Sequence, residues 1–164
     1  MHVEIVDQAR TRELRRAVLR PQLSAADALP GDELTDGVHG VHFGAVDDDG
    51  TVACTCFVYP DPCPWLPGRT AWHLRQMATL PERRGEGLGR AVVEAAVEQV
   101  HDAKAQVLWC NARETARGFY ADVGFAEYGD VFTDERHPIP HVRMWRELSR
   151  PPTSSHLSGR SPGA

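Results

Sequence analysis

Hydrophobic and polar positions change period repeatedly along the chain. Residues 2–6 (HVEIV) predict a short strand. From 7 to about 19 the apolar residues Ala9, Leu14, Ala17 and Val18 recur at helical spacing among arginines, which predicts a helix. Residues 20–37 are rich in Pro, Ala, Asp and Gly and predict a long loop with at most a weak helical turn. Residues 38–47 and 51–59 are apolar or alternating runs separated by Asp48-Asp49-Gly50, the chemistry of a hairpin turn. Residues 60–69 (PDPCPWLPGR) hold four prolines and form an irregular connection, and 70–80 predict a strand stopped by Pro81. A helix is expected over about 87–101, because Leu88, Val92, Val93, Ala95, Ala96 and Val100 share one arc. A fully apolar strand at 106–110 and a second amphipathic helix at 112–123, ended by Gly124, come next. Strands at 125–132 and 141–148 complete the pattern.

The order β-α-β-β-β-α-β-α-β-β predicts a mixed α/β (α+β) layer architecture in one domain over residues 1–148. Residues 149–164, rich in Ser, Pro and Gly, predict a disordered C-terminal tail. With 164 residues, 41% of them hydrophobic, the chain can bury a real core. A net charge of −5 disfavours a nucleic-acid or membrane-surface role, so any anionic ligand needs a local positive cluster. The four cysteines form no C-x-x-C pair, and no metal site is expected. No secretory signal and no apolar run of membrane-spanning length is apparent, so a cytoplasmic protein with reduced thiols is expected.

The stretch 75–90, RQMATLPERRGEGLGR, concentrates the chemistry. An apolar strand ends at a proline and enters a Gly-rich loop that opens into a helix. Unpaired N–H groups and the dipole at a helix start hold phosphates, and Gly85, Gly87 and Gly89 let the main chain approach an anion. A dinucleotide fingerprint fails because its third glycine slot holds Arg90. A Walker loop fails because Lys104 is the only lysine.

The remaining pattern, R-x-x-G-x-G at Arg84, Gly87 and Gly89, resembles the pyrophosphate loop of the GNAT superfamily of acyl-CoA N-acyltransferases. A second element, ARGFYADVGF at 116–125, is similar to that family's A-x-x-F-Y-x-x-x-G-F helix. NAR at 111–113, IPHVRM at 139–144, RRAVLRP at 15–21 and HFGA at 42–45 resemble its ElaA-like branch. The resemblance implies a GNAT fold, with a mainly antiparallel sheet splayed at its centre and flanked by helices. It implies acetyl-CoA as cosubstrate and an acetyl transfer directly to a primary amine, on a small-molecule or peptide acceptor, by a monomer or homodimer.

By that resemblance, Met77, Ala78 and Thr79 offer backbone groups to the acyl and pantetheine part. Arg84, Gly85, Glu86, Gly87, Leu88, Gly89 and Arg90 bind the pyrophosphate, Arg83 adds charge beside them, and Arg113 is a further contact. Tyr120 is the candidate general acid for the departing thiolate. The base is open among His141, His73, Glu127 and a water chain, with His141 favoured by its place at the start of the last strand. Trp65 is a candidate wall of the acceptor pocket. The rival reading is an acyl-CoA-binding sensor or interaction module without catalysis.

Overall fold

Hairpins build most of the sheet. In the computed structural model, which describes residues 1–34 and 40–148, strand β1 (His2–Val6) leads into helix α1 (Gln8–Leu19). Strands β2 (Val41–Val46) and β3 (Val52–Pro60) follow, joined by the Asp-Asp-Gly turn. In that turn Gly50 adopts φ 89° and its N–H donates to the Asp47 carbonyl at 2.8 Å. Strand β4 (Ala71–Thr79) runs back along β3, helix α2 (Leu88–Asp102) crosses over, and β5 (Val107–Arg113) follows. Helix α3 (Arg117–Asp122) precedes the terminal hairpin of β6 (Ala126–Phe132) and β7 (His141–Glu147). The strand order is β1-β2-β3-β4-β5-β7-β6, and every neighbouring pair is antiparallel except β4 with β5.

The central strand β3 is buried from Val52 to Tyr59, which explains why its sequence does not alternate. Cys54, Cys56 and Val58 pack with Val92, Val93 and Ala96 of α2 in the main core. On the opposite face, Leu14 of α1 packs with Val6, Val46, Val52 and Ala78. Arg15 of α1 is buried too, and its charge is met by Asp32 at 2.7 Å and the Thr11 hydroxyl at 2.9 Å.

The expected helix at 112–123 starts later. Ala112 and Arg113 extend β5 by pairing with Val142 and His141, a short 3-10 turn covers Glu114–Ala116, and the α-helix begins at Arg117. Pairing with β7 therefore overrides the helical signal at its first residues. In the long loop the only regular structure among the described residues is a 3-10 turn at Asp32–Leu34. Val38 and His39 of the expected second strand, residues 35–37 of the expected loop, and the expected tail at 149–164 lie outside the described residues.

Candidate active site

Strands β4 and β5 pair only over Ala71–His73 against Val107–Trp109, and beyond that point they part. The gap is a V whose arms are residues 74–79 of β4 and 110–113 of β5. The Leu80 N–H donates to the Ala53 carbonyl at 2.9 Å, on the β3 side. Strand alternation then turns the main-chain groups of Met77 and Thr79 away from β3, toward the gap, while Ala78 faces β3. Just below them the register against β3 shifts and Gln76 adopts φ 58°, a strained bulge that opens the arm.

Above the V, residues 81–87 carry the chain from β4 into α2. Gly85 and Gly87 adopt φ 83° and 82°, and a Cβ on either would meet open space, so backbone conformation and not crowding selects glycine there. The first helical bond runs from the Ala91 N–H to the Gly87 carbonyl at 3.1 Å, and no side chain caps the helix. The N–H groups of Leu88, Gly89 and Arg90 are thus available to an anion. Gly89 is chosen for space instead: a Cβ would sit 2.9 Å from the Phe119 ring and 3.1 Å from the Met77 methyl.

The charged side chains of the loop divide. Arg83 is held by Asp47 at 2.6 Å and by Glu86 at 2.9 Å, which ties the loop to the β2–β3 turn. Glu86 thus contributes shape through its side chain and leaves its main chain to the loop. Arg84 is exposed, and Arg90 donates to the Asp122 carbonyl at 3.1 Å, bridging α2 and α3.

Tyr120 lies on the same side of the sheet as α2, buried edge-on between Phe119 and Phe125. Burial pushes its phenol well above the ordinary value, and the nearby thiols of Cys110, Cys56 and Cys54 act in the same direction. Its hydroxyl has no hydrogen-bond partner among the described residues. Cys110 is itself fully buried and its thiol is pushed far up, so it is a poor nucleophile. Cys54 is pushed up to about 11 by burial and contacts the Thr79 hydroxyl at 3.1 Å.

The face carrying α1 holds the other polar groups. At the apex of the V, His73 Nδ1 lies 3.1 Å from Asp61 Oδ2 and 3.0 Å from the Tyr59 hydroxyl, and its ring stacks on Trp109. The Trp109 indole N–H donates to the Asp61 carbonyl at 2.9 Å, which fixes the loop that brings Asp61 in. Burial lowers the His73 pKa and Asp61 partly restores it. Sequence reasoning missed Tyr59 and Asp61, which sat at the edge of the proline-rich connection. A tyrosine and an aspartate two residues apart at a strand end, with a histidine opposite in the hairpin, were the available signal.

His141 pairs with Arg113 at the end of β5, and its Nδ1 contacts the Ile139 carbonyl at 2.7 Å. Burial lowers its pKa as well. Arg113 donates to the Leu19 carbonyl at the end of α1, across the sheet from the Gly-rich loop, so the structure does not bring it together with residues 84–90. Glu127 is bound by Arg117 on the edge strand, away from the V. Trp65 stacks on Tyr128 and meets Trp109 edge-on, forming one wall of the α1 face.

The family described as "Acetyltransferase (GNAT) domain" matches residues 39–127. The Bacillus subtilis protein named "Uncharacterized N-acetyltransferase YitI" is 31% identical over 152 residues, covering 90% of this chain and 97% of that protein. Among solved structures, an aminoglycoside 6'-N-acetyltransferase complexed with coenzyme A superposes with TM-score 0.74 at 16% identity, covering 93% of this chain and 100% of that one. Escherichia coli ElaA gives TM-score 0.67 at 16% identity over 89% of this chain and 99% of that one. At those identities the two structures establish likeness of fold.

Proposed function

This chain belongs to the acetyltransferase (GNAT) family, and we propose that it transfers an acetyl group from acetyl-CoA directly to a primary amine. The observation that carries the reading is the V between β4 and β5, with a Gly-rich helix start above it and free main-chain groups along one arm. Acetyl-CoA fits these residues on separate counts. The N–H groups of residues 88–90, with Gly85 and Gly87 below them, suit a pyrophosphate. The main chain of Met77 and Thr79 suits an amide-bearing chain laid beside β4, and the close Gly89–Phe119 contact sets the depth of the cradle.

When bound, acetyl-CoA supplies an acyl group activated as a thioester. The protein's own part is to hold that group across from the amine, and orientation of this kind is a large contribution to rate. Tyr120 keeps its proton throughout the neutral range and offers it to the departing sulfur. The poor nucleophilicity of Cys110 supports a transfer without a covalent enzyme intermediate. Two histidines on the α1 face are placed to take the amine proton, His73 at the apex of the V and His141 at its rim, and both are neutral at physiological pH because burial lowers their pKa.

The test is the melting temperature of the protein with acetyl-CoA, CoA, ATP and NADH in parallel. A rise with the two CoA species alone is expected, because a ligand of the native state raises stability by mass action. No rise at saturating CoA overturns the proposal.

A further inference from the structure

The α1 face of the V holds a charge arrangement that the acetyl-transfer chemistry does not require. Two residues beyond the His73–Trp109 apex, each arm carries polar side chains on this face: Arg75 on β4, and Asn111 then Arg113 on β5. Arg20, just past the end of α1, closes the group from above. Arg20 and Arg113 donate to the same acceptor, the Leu19 carbonyl, at 3.2 and 3.3 Å, so the two guanidiniums sit side by side. Arg75 lies against Tyr59 and Asp61, whose ionisations its charge affects. All three arginines are half-buried, and Arg20 is made more acidic first by burial and then by the charges of Arg113 and Arg75.

Like charges gathered in a half-buried place are costly without a counter-ion. Several other arginines that are at least partly buried meet carboxylates, as Arg15 meets Asp32, Arg83 meets Asp47 and Arg146 meets Glu94, whereas the exposed Arg84 and Arg90 meet none among the described residues. None of the three arginines here forms an ion pair among the described residues. The carboxylate of Asp61, held by the neutral His73 at 3.1 Å, keeps its charge and offsets part of that of Arg75 alone. The whole chain is acidic, so the cluster is not the by-product of a basic surface.

We propose that Arg20, Arg75 and Arg113 bind an anionic group on the acceptor, so that the amine acetylated here belongs to a molecule that also carries a carboxylate or phosphate. The anion would rest between the arms of the V while the amine points toward the apex. Guanidinium forks suit a planar carboxylate and make its bonds shorter and stronger than neutral ones. This assignment rests on the acetyltransferase reading for the identity of the reacting group, but not for the anion site.

The experiment is calorimetric titration of the intact protein, saturated with CoA, with N-acetylglycine, N-acetylglycinamide and N-acetyl-O-phosphoethanolamine. The acetylglycine or the phosphate is expected to bind about tenfold or more tighter than the neutral amide. Which of the two anions binds better identifies carboxylate or phosphate as the group recognised. Arg75→Gln and Arg113→Gln, with Arg20→Gln as a third variant outside the sheet, are expected to abolish that preference while leaving the affinity for CoA unchanged. Equal binding of the amide overturns the proposal, as does a loss of CoA affinity in these variants, which would assign the cluster to the cosubstrate. If the protein does not bind CoA, the proposed function fails on its own. The same titration without CoA then still decides whether the three arginines select an anion.

Discussion

The imidazole of His73 lies flat on the indole of Trp109, with ring centroids 3.7 Å apart and 15° between planes, at the last position where β4 and β5 are paired. This stack fixes an imidazole at the apex of the V, while Asp61 and Tyr59 hold its other edge. The arrangement resembles the support that orients a general base.

If His73 takes the amine proton, kcat/KM is flat at neutral pH and falls once the pH drops below the ordinary histidine value. Burial lowers this pKa, so the neutral form dominates at pH 7. Asp61 favours the charged form, and Asp61→Asn is therefore expected to move the acid limb to still lower pH. His73→Gln is expected to cost about two orders of magnitude in kcat. His141→Gln with the larger loss would transfer the role to His141. Rate–pH profiles of the three variants decide the point.

Tyr120→Phe removes a hydroxyl that has no partner among the described residues, so the melting temperature is expected to change little. A fall of kcat by about a hundredfold with an unchanged Kd for acetyl-CoA is the expected signature of a general acid. Unchanged turnover would assign Tyr120 to packing alone, between Phe119 and Phe125.

The loop was legible in the sequence because glycine spacing and a strand–loop–helix context report backbone needs directly. The elements were legible for the same reason, since β3 and α2 carry their burial in their composition. Arg83 was not legible. It looked like a spare charge beside a phosphate, yet Asp47 and Glu86 engage it, and Asp47 lies far away in sequence. Asp61 was hidden among prolines, and Arg113 stood in the stretch read as helix. In each case a tertiary partner decided the role, and a local pattern holds no information about such partners.

Arg83→Ala and Asp47→Ala test that distinction. Both are expected to weaken acetyl-CoA binding by a similar factor, because each frees the loop from the β2–β3 turn. Unimpaired binding in Asp47→Ala, with loss in Arg83→Ala, would mean that Arg83 contacts the phosphates itself. Equilibrium titration with acetyl-CoA separates the two.

Gly89→Val forces a branched side chain against Phe119 and the Met77 methyl. Overpacking of this kind costs about 1–3 kcal/mol. The floor of the V moves with it, so both the urea midpoint and the affinity for acetyl-CoA are expected to fall. Gly89 is therefore a better probe of the cradle than Gly85, where a side chain would meet open space.

His42 links stability to pH. Burial, followed by the charge of Arg15, lowers its pKa from 6.5 to about 4, against opposing contributions from Gln76 and Asp32. Between those values the unfolded chain binds a proton that the folded protein refuses. The stabilisation is complete above pH 6.5 and is lost as the pH falls toward 4, by about 3 kcal/mol in total. Urea midpoints at pH 7 and pH 4.5 are expected to differ less in His42→Gln than in the wild type.

The seam between β4 and β5 also bears on how the chain assembles. Its strands are drawn together only by way of α2, and Thr70 and Gln106, which bond across its foot, are 36 residues apart in sequence. The β2–β3 hairpin closes across a tight turn and carries a far smaller loop-closure entropy. On loop-closure grounds the local hairpins are expected to form before the three-residue parallel junction, as before the equally long-range pairing of β1 with β2. The V is in this sense the place where the sheet stops zipping, and its two arms come from segments joined only through α2.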